Sequence, residues 1–336
     1  MTRRTSALTA AATVASLVLA ACSATAQEDA AGATVTVRNC GEEVAFPAPA
    51  ERIFVNDSNL VSMLLAIGAA DQVAAVSSIG RDEAVLTEHY GDAVAGLTQV
   101  SDDYPSLETV IAQRPDVMVA GWSYGYDEAQ HLTPDSLAER DIAAYVLTES
   151  CRQGDGDARG IVDPWTALRE DLTNLGAVTG HEERAAEVVA DLDERLAALE
   201  AAPAPDAGDE PVVFVFDSGE KAVFTSGAYG APQAVIEAGG GRNAMADLDD
   251  TWTEVSWERL AAARPDAFVF VDYPGQTFEQ KVAVLEAHPA TRDLPAVQER
   301  RFLNLPYAMW TSGPLNIDAA EQVRAFLEAK ELVPAR

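Results

Sequence analysis

The segment SLETVIAQRPDVMV at residues 106–119 recurs as SWERLAAARPDAFV at residues 256–269. The two copies share a serine, a glutamate and the run Arg-Pro-Asp at matching positions. Ser106 and Ser256 are predicted helix N-caps, because a serine hydroxyl accepts a hydrogen bond from a free amide of the first turn. The residue before proline avoids the helical conformation, so each short helix is expected to end at Arg-Pro-Asp. The apolar run that follows predicts a buried parallel strand.

A helix–strand unit that occurs twice predicts two similar lobes of the α/β class. Predicted strands and helices alternate around each copy, which favours a mainly parallel sheet flanked by helices in each lobe. We assign the N-terminal lobe to residues 34–180 and the C-terminal lobe to residues 202–336. Between them, residues 181–201 carry an apolar stripe at helical spacing and predict a single long connecting helix, with a ligand cleft between the lobes. The preceding helix is predicted over 164–175 and is expected to stop at Gly176.

Residues 1–21 have the pattern of an export signal. Two arginines precede an apolar segment that is too short to span a bilayer. The segment ends in LAAC at residues 19–22, which resembles a bacterial lipobox. This pattern predicts that Cys22 is lipidated and anchors the protein to the outer face of the cytoplasmic membrane. The alternative is an ordinary signal peptide that happens to carry a cysteine. Residues 22–33 are small and polar, as in a flexible tether.

Cysteine usage agrees with export. When Cys22 is set aside, Cys40 and Cys151 remain, an even number in an oxidising compartment. We predict a disulfide between them. The alternative is a pair of unbonded, buried thiols.

The chain carries a formal net charge of −31 at pH 7. Such a charge repels phosphate groups, so neither a nucleic acid nor an anionic membrane surface is expected as a partner. The charge keeps an exported protein soluble and is uninformative about the fold.

The lipobox, the duplicated Ser-x-Glu and Arg-Pro-Asp units and the helical connector together resemble the substrate-binding lipoproteins of ABC importers. The similarity is to the branch that binds ferric siderophores and cobalamin, and it covers residues 34–336. It implies a non-enzymatic monomer that captures a ferric siderophore and delivers it to an ABC permease with its ATPase subunits. Cobalamin or haem is the alternative cargo on the same scaffold.

The resemblance also implies a role for two glutamates. In that family, the glutamate of each Ser-x-Glu unit lies on the rim of its lobe and engages arginines of the permease. The matching positions here are Glu108 and Glu258. The alternative interpretation is that each is a solvated glutamate favoured by the helix dipole.

The loops that follow the predicted strands are rich in aromatic residues and contain arginines. Ligands of open α/β sheets bind beyond the carboxyl ends of the strands, so these loops form the expected binding site. Aromatic rings stack on an organic scaffold while arginines face its oxygens, which suits a bulky, often anionic chelate. Each residue could also be an ordinary core or surface side chain. The predicted ligand-binding residues are Arg81, Trp122, Tyr124, Tyr229, Arg242, Trp252, Tyr273, Tyr307 and Trp310.

The histidines speak against a site for a bare transition metal. His89, His131, His181 and His288 are scattered, and no two of them have the spacing of metal ligands. We therefore predict no resident metal or cofactor, since a ferric ion that arrives chelated needs no protein ligand. Ligation of haem by a tyrosine or histidine stays open.

One motif argues for an enzyme. Residues 121–125, GWSYG, fit the G-x-S-x-G pattern of a serine hydrolase and follow a predicted strand. A nucleophile elbow leads directly into a helix, whereas polar residues and Pro134 follow here. In the second copy, Tyr273 occupies the position of Ser123. We therefore predict that the protein is not an enzyme, and a cell-surface hydrolase that uses Ser123 is the alternative of a different class.

Overall fold

The two copies of the repeated segment lie in two separate parallel sheets. The computed structural model describes residues 1–2, 33–154, 156–273 and 275–336. The predicted export signal and tether, including Cys22, fall almost entirely outside the described residues. None of the described helices combines the length and the hydrophobicity that a membrane span requires.

The N-terminal half begins with an antiparallel hairpin and continues with a parallel sheet. Its strands are β1 (Thr34–Asn39), β2 (Glu42–Pro47), β3 (Ile53–Asn56), β4 (Val73–Ser77), β5 (Gln99–Ser101), β6 (Val117–Trp122), β7 (Gly125–Tyr126) and β8 (Ala143–Val146). Strands β1 and β2 form the hairpin. The parallel sheet has the order β5-β4-β3-β6-β8, and β7 pairs with the end of β6. The helices are α1 (Ser58–Ala66), α2 (Glu83–Tyr90), α3 (Asp92–Ala95), α4 (Leu107–Ala112), α5 (Pro134–Ala138), α6 (Pro164–Thr179) and α7 (Glu182–Glu200).

The C-terminal half combines a parallel sheet with a small antiparallel one. Its strands are β9 (Val212–Phe216), β10 (Ser218–Gly219), β11 (Val223–Ser226), β12 (Arg242–Asn243), β13 (Trp252–Val255), β14 (Ala267–Asp272) and β15 (Phe302–Pro306). The parallel sheet has the order β12-β9-β14-β15, and the antiparallel sheet has the order β10-β11-β13. The helices are α8 (Ala231–Ala238), α9 (Trp257–Ala263), α10 (Phe278–Ala287), α11 (Pro295–Gln298) and α12 (Asn316–Ala329).

The repeated segment forms the predicted helix in both halves. The hydroxyls of Ser106 and Ser256 each accept a hydrogen bond of 3.2 Å from the amide three residues later. Arg114 and Arg264, which precede the prolines, adopt left-handed conformations with φ of 49° and 48°. This backbone conformation ends both helices, because it avoids the right-handed region that proline disfavours in the residue before it.

The aspartate of each Arg-Pro-Asp run fixes the neighbouring strand. The carboxylate of Asp116 accepts hydrogen bonds from the amides of Glu51 at 2.7 Å and Arg52 at 3.0 Å, at the entrance to β3. Asp266 accepts one of 2.8 Å from the amide of Val212, the first residue of β9. These bonds set each repeat strand beside the central strand that precedes it.

The prediction that a helix stops at Gly176 is wrong. Helix α6 runs through Gly176 and ends at Gly180, which has a left-handed φ of 73°. A Cβ atom at position 176 would lie 2.5 Å from Cβ of Ala185 in α7. Glycine at this position therefore allows close packing of the two helices.

Helix α7 packs against both halves of the chain. It contacts α6 on one side and α12 on the other, and Leu192, Leu196 and Leu199 are buried in these contacts. Arg195 forms ion pairs of 2.7 Å with Asp318 and with Glu321 of α12.

The two sheets share a hydrophobic cluster. The cluster extends without a break from Val55 in β3 to Val269 in β14, and residues Ala33–Arg336 form one compact unit. Apolar packing therefore reinforces the connection that α7 makes. The lobe boundaries at residues 180 and 202 stay a prediction.

The hairpin is tied to the loop after β8. Cys40 and Cys151 form a disulfide across a sequence separation of 111 residues. Next to it, the side chain of Asn39 donates to the carbonyl of Val146 at 2.7 Å and accepts from the amide of that residue at 2.9 Å. The N-terminal strands are thereby attached to the edge of the parallel sheet.

Candidate functional site

A cleft of about 1390 Å³ lies beyond the carboxyl ends of strands from both parallel sheets. Loops after β6, β9, β14 and β15 contribute to it, as does one face of the antiparallel sheet. This is the position at which open α/β sheets bind ligands. The lining residues are Tyr104, Ser123, Tyr124, Arg159, Asp217, Ser218, Gly219, Glu220, Lys221, Ala222, Phe224, Trp252, Glu254, Tyr273, Gly275, Gln276, Gln280, Lys281, Ala283, Val284 and Tyr307.

The floor of the cleft is built around the buried carboxylate of Asp57. One oxygen of Asp57 accepts hydrogen bonds from the hydroxyls of Tyr104 at 3.1 Å and Tyr307 at 2.9 Å. The other oxygen forms an ion pair of 3.0 Å with Arg81, whose guanidinium also lies 4.9 Å from the ring centre of Tyr273. Burial raises the pKa of Asp57, while Arg81 and the hydrogen bonds oppose that shift. The arrangement holds aromatic rings from both halves of the chain against one charged pair.

Tyr124 presents a hydroxyl without a hydrogen-bond partner among the described residues. The side chain is only 6% exposed, and burial raises its pKa well above the ordinary value, so it stays a neutral phenol. Buried polar atoms in proteins nearly always have a partner. Tyr124 lines the cleft, so its hydroxyl is a donor at the cleft wall that the described protein leaves unused.

Arg159 is a cleft residue that the sequence reasoning missed. Its guanidinium donates to the carbonyl of Trp122 at 3.3 Å and to that of Trp252 at 3.0 Å, and it lies 5.5 Å from the ring centre of Tyr124. The residue sits in the Gly/Asp-rich loop at 154–160, outside the loops that directly follow strands. No sequence pattern singled it out.

Buried carboxylates of the N-terminal half also accept hydrogen bonds from the C-terminal half. Asp82 accepts from the amide of Ala308 at 3.1 Å. Glu149 accepts from the amide of Ser312 at 2.9 Å and from the indole of Trp252 at 3.3 Å. Burial raises the pKa of Asp82 to about 6 and that of Glu149 to about 7. The two halves are thus joined behind the cleft by polar contacts as well as by apolar packing.

The structure brings five of the nine predicted ligand-binding residues together. Tyr124, Trp252, Tyr273 and Tyr307 line the cleft. Arg81 lies against the rings of Tyr273 and Tyr307 and is paired with the floor carboxylate. Trp252 lies on β13, a strand that the sequence reasoning placed in a loop.

The other four predicted residues do not line the cleft. Trp310 is fully buried, and its indole donates to the carbonyl of Phe270 at 3.1 Å. The guanidinium of Arg152 stacks on the ring of Trp122, with 3.7 Å between the guanidinium carbon and the ring centre. Tyr229 packs beside Gly160.

Arg242 lies at the far end of the sheet. It pairs with Val212 at the start of β9, and the cleft lies beyond the other end of that strand. A glycine-rich turn leads from α8 back to the amino end of the sheet, and for this reason Arg242 is remote from the cleft.

The G-x-S-x-G segment forms a tight turn and does not enter a helix. The amide of Tyr124 donates to the carbonyl of Gly121 at 2.9 Å, and Ser123 between them has a φ of 63°.

Ser123 lines the cleft, but none of the four histidines does. His181 contacts the carbonyl of Thr179 at 3.0 Å, and His288 stacks on Trp257. The described residues therefore contain no serine–histidine pair at this site.

The residues predicted to dock a permease occupy equivalent positions. Glu108 and Glu258 lie in the first turns of α4 and α9, and both side chains are exposed. A hydrogen bond from its own backbone amide lowers the pKa of each carboxylate, and the N-cap serine adds to that effect. Both are therefore charged on the surface at neutral pH.

The described residues contain no cluster of three or more side chains able to hold a metal ion. The cleft has aromatic, amide and charged side chains, which are suited to binding an organic molecule by stacking and hydrogen bonding.

Solved structures and a family model are similar to this chain. The family model, described as periplasmic binding protein, matches residues 53–308. A periplasmic binding protein from Veillonella parvula is 22% identical with a TM-score of 0.71, covering 88% of this chain and 98% of that one. An ABC-type Fe3+-hydroxamate transport system from Saccharomonospora viridis is 23% identical with a TM-score of 0.70, covering 87% and 98%. The periplasmic vitamin B12 binding protein of Vibrio cholerae is 20% identical with a TM-score of 0.59, covering 84% and 98%. At these identities the likeness to solved structures shows the fold alone.

Proposed function

Because this chain belongs to the family of periplasmic binding proteins, we propose that it captures a ferric siderophore in the cleft and delivers it to an ABC permease. Proteins of this family are not enzymes; they bind small ligands outside the cytoplasm and act with an ABC permease and its ATPase. The protein itself performs no chemistry on its cargo.

The observation that carries the siderophore proposal is the composition of the cleft wall. Six aromatic side chains from both halves line a space of about 1390 Å³: Tyr104, Tyr124, Phe224, Trp252, Tyr273 and Tyr307. Pockets for drug-sized ligands are roughly 300–1,000 Å³, so this cleft suits a bulkier molecule. A ferric chelate of an organic siderophore is both bulky and able to stack on aromatic rings.

Cobalamin or haem is the alternative cargo. Cobalamin is supported by the likeness to the vitamin B12 binding protein, which has the same fold. Both are large, partly apolar ring systems that could stack on the same tyrosines and tryptophan. Both would reach the permease by the same route.

Delivery to the permease is assigned to Glu108 and Glu258. The two residues occupy equivalent positions, which supports this assignment. Each is an exposed carboxylate in the first turn of the helix that precedes a repeat strand. Arginines of a permease would form charge-assisted hydrogen bonds with them.

The lipid anchor on Cys22 completes the proposal. The support is the LAAC pattern at residues 19–22 together with a disulfide, which is typical of an oxidising compartment. Labelling with a palmitate analogue would test the anchor, and loss of the label in Cys22→Ala is the expected result. A label that persists in the variant would contradict the assignment.

Fluorescence titration of the purified protein tests the cargo. Trp252 lies on the cleft wall, so a bound ferric chelate is expected to quench its emission. The panel should contain ferric siderophores, cobalamin and haem. Trp252→Phe should remove the part of the quenching that comes from the cleft. Trp310→Phe removes a buried tryptophan of the core and should leave the quenching by ligand in place. If no ferric chelate quenches the emission or binds by calorimetry, the siderophore proposal is wrong.

A further inference from the structure

We infer that the cleft selects ferric chelates without net negative charge, as formed by hydroxamates, and discriminates against polyanionic chelates. The inference rests on the proposed function and adds the charge class of the cargo. The sequence alone suggested arginines facing an anionic ligand, whereas the structure pairs Arg81 with Asp57 and places Arg242 away from the cleft.

The charged side chains of the cleft wall balance. The acidic ones are Asp217, Glu220 and Glu254, and the basic ones are Arg159, Lys221 and Lys281. Arg81, beneath the wall, is neutralised by its ion pair with Asp57. At ordinary protonation the site offers no net positive charge to an anion.

Most of the basic groups are already occupied. Arg159 donates to two backbone carbonyls and lies 4.0 Å from Asp250. The ammonium group of Lys281 is buried and donates to the carbonyl of Val271. Of the three basic wall residues, only Lys221 is exposed, and no other described residue forms an ion pair with it. One lysine cannot compensate several negative charges on a ligand.

Two of the three acidic wall residues are exposed, but only one of the three basic ones is. Glu220 and Glu254 are exposed on the wall formed by the antiparallel sheet and its turns. A polyanion that stacks on Trp252 or Phe224 would lie beside these carboxylates. The net charge of −31 over the whole chain adds a long-range repulsion that slows the approach of anions.

A neutral hydrogen-bond donor is present instead. Tyr124 lines the cleft, and its hydroxyl has no partner among the described residues. A phenol can donate to a carbonyl or hydroxamate oxygen without requiring a charged ligand. Three singly charged hydroxamates neutralise a ferric ion, whereas three doubly charged catecholates leave three negative charges.

The test compares three probes on the purified full-length protein by fluorescence quenching and calorimetry. Ferrichrome is an uncharged trihydroxamate complex, ferrioxamine B is a cationic one, and ferric enterobactin is a tris-catecholate anion. We expect the hydroxamate complexes to bind about 100-fold more tightly than the catecholate complex at low salt, with a smaller ratio at high salt.

Two double variants separate the cleft from the overall charge. Glu220→Gln with Glu254→Gln removes acidic charge from the wall and is expected to tighten catecholate binding about tenfold, narrowing the ratio. Glu42→Gln with Glu43→Gln removes the same charge from the exposed hairpin. This variant is expected to change the affinity for the catecholate complex less than about twofold.

The outcomes distinguish this inference from the proposed function. If ferric enterobactin binds as tightly as the hydroxamate complexes, or if the two double variants act alike, the charge inference is wrong while the proposed function stands. If none of the ferric complexes binds, the proposed function itself is wrong.

Discussion

The hydroxyl of Tyr307 donates a hydrogen bond of 2.9 Å to the buried carboxylate of Asp57, across 250 positions of sequence. The two residues come from opposite halves of the chain. Their bond closes the floor of the cleft and sits beside the ion pair between Asp57 and Arg81. The site and the junction of the two halves are therefore one structure.

Asp57→Asn should destabilise the protein. The change leaves Arg81 without its counter-charge in a mostly buried position, which costs about 3 kcal/mol. Asparagine has nearly the shape of aspartate, so the strain that the backbone already carries at this position, with φ of 81° and ψ of 149°, is unchanged. Chemical denaturation measures the change in the free energy of unfolding. Tyr307→Phe, which removes one hydrogen bond, should cost only about 1 kcal/mol. Equal effects of the two variants would contradict a central role for the ion pair.

Stability should fall as the pH rises from 5 to 8. Burial raises the pKa of Glu149 to about 7 from an ordinary 4.5, so the folded state binds a proton more tightly than the unfolded state. Such a group contributes its full stability below the unfolded pKa and loses it as the pH passes the folded pKa. Asp82, with a pKa of about 6, acts in the same direction.

Glu149→Gln isolates the contribution of Glu149. The variant should reduce the difference in unfolding free energy between pH 5 and pH 8 by up to about 3 kcal/mol. Glu182→Gln, at an exposed position, serves as the control. Parallel pH profiles for the wild type and Glu149→Gln would exclude the proposed origin of the slope.

Tyr124→Phe should weaken cargo binding without loss of stability. The hydroxyl has no partner in the described protein, so its removal leaves no other group unsatisfied. The affinity should drop about tenfold if the hydroxyl donates to the ligand. Tyr126→Phe is the matched control, because the hydroxyl of Tyr126 donates to the carbonyl of Met118 at 2.9 Å inside the core. That variant should lower stability and leave the affinity unchanged, and the reverse result would refute the assignment.

Glu108→Ala combined with Glu258→Ala should abolish uptake of the cargo by cells. The side chains are exposed and their helices retain the N-cap serines, so the fold and the ligand affinity should be unaffected. Transport of radiolabelled iron measures uptake, and calorimetry measures affinity. Glu83 and Glu279, exposed in the first turns of α2 and α10, provide a control pair. A loss of ligand affinity in the first pair would argue against docking.

Replacing Cys40 and Cys151 by serine should lower stability. The bond closes a loop with a sequence separation of 111 residues, and the chain-entropy model assigns about 5 kcal/mol to such a loop. Denaturation of the double serine variant measures the loss. An unchanged midpoint would show that the hairpin is held by Asn39 and apolar packing alone.

The family, the α/β class and the non-enzymatic nature of the protein were predicted from the sequence and are confirmed. The cap at Ser106 and the helix end at Arg114 depend on residues within four positions of each other. Local hydrogen bonds and proline sterics act over that distance, so the sequence displays them directly. The residues of the cleft stay predictions as ligand contacts.

Only the tertiary structure decided which aromatic residues face the cleft. Tyr307 and Trp310 are three positions apart, yet the first closes the cleft floor and the second is buried under β14. From the sequence, Gly176 is predicted to end a helix, whereas in the structure it lies inside α6 and packs against Ala185 of α7. In each case the environment is set by a segment distant in sequence or by the angle between packed elements. Burial and pairing across such distances follow from the assembled core, and no local pattern encodes them.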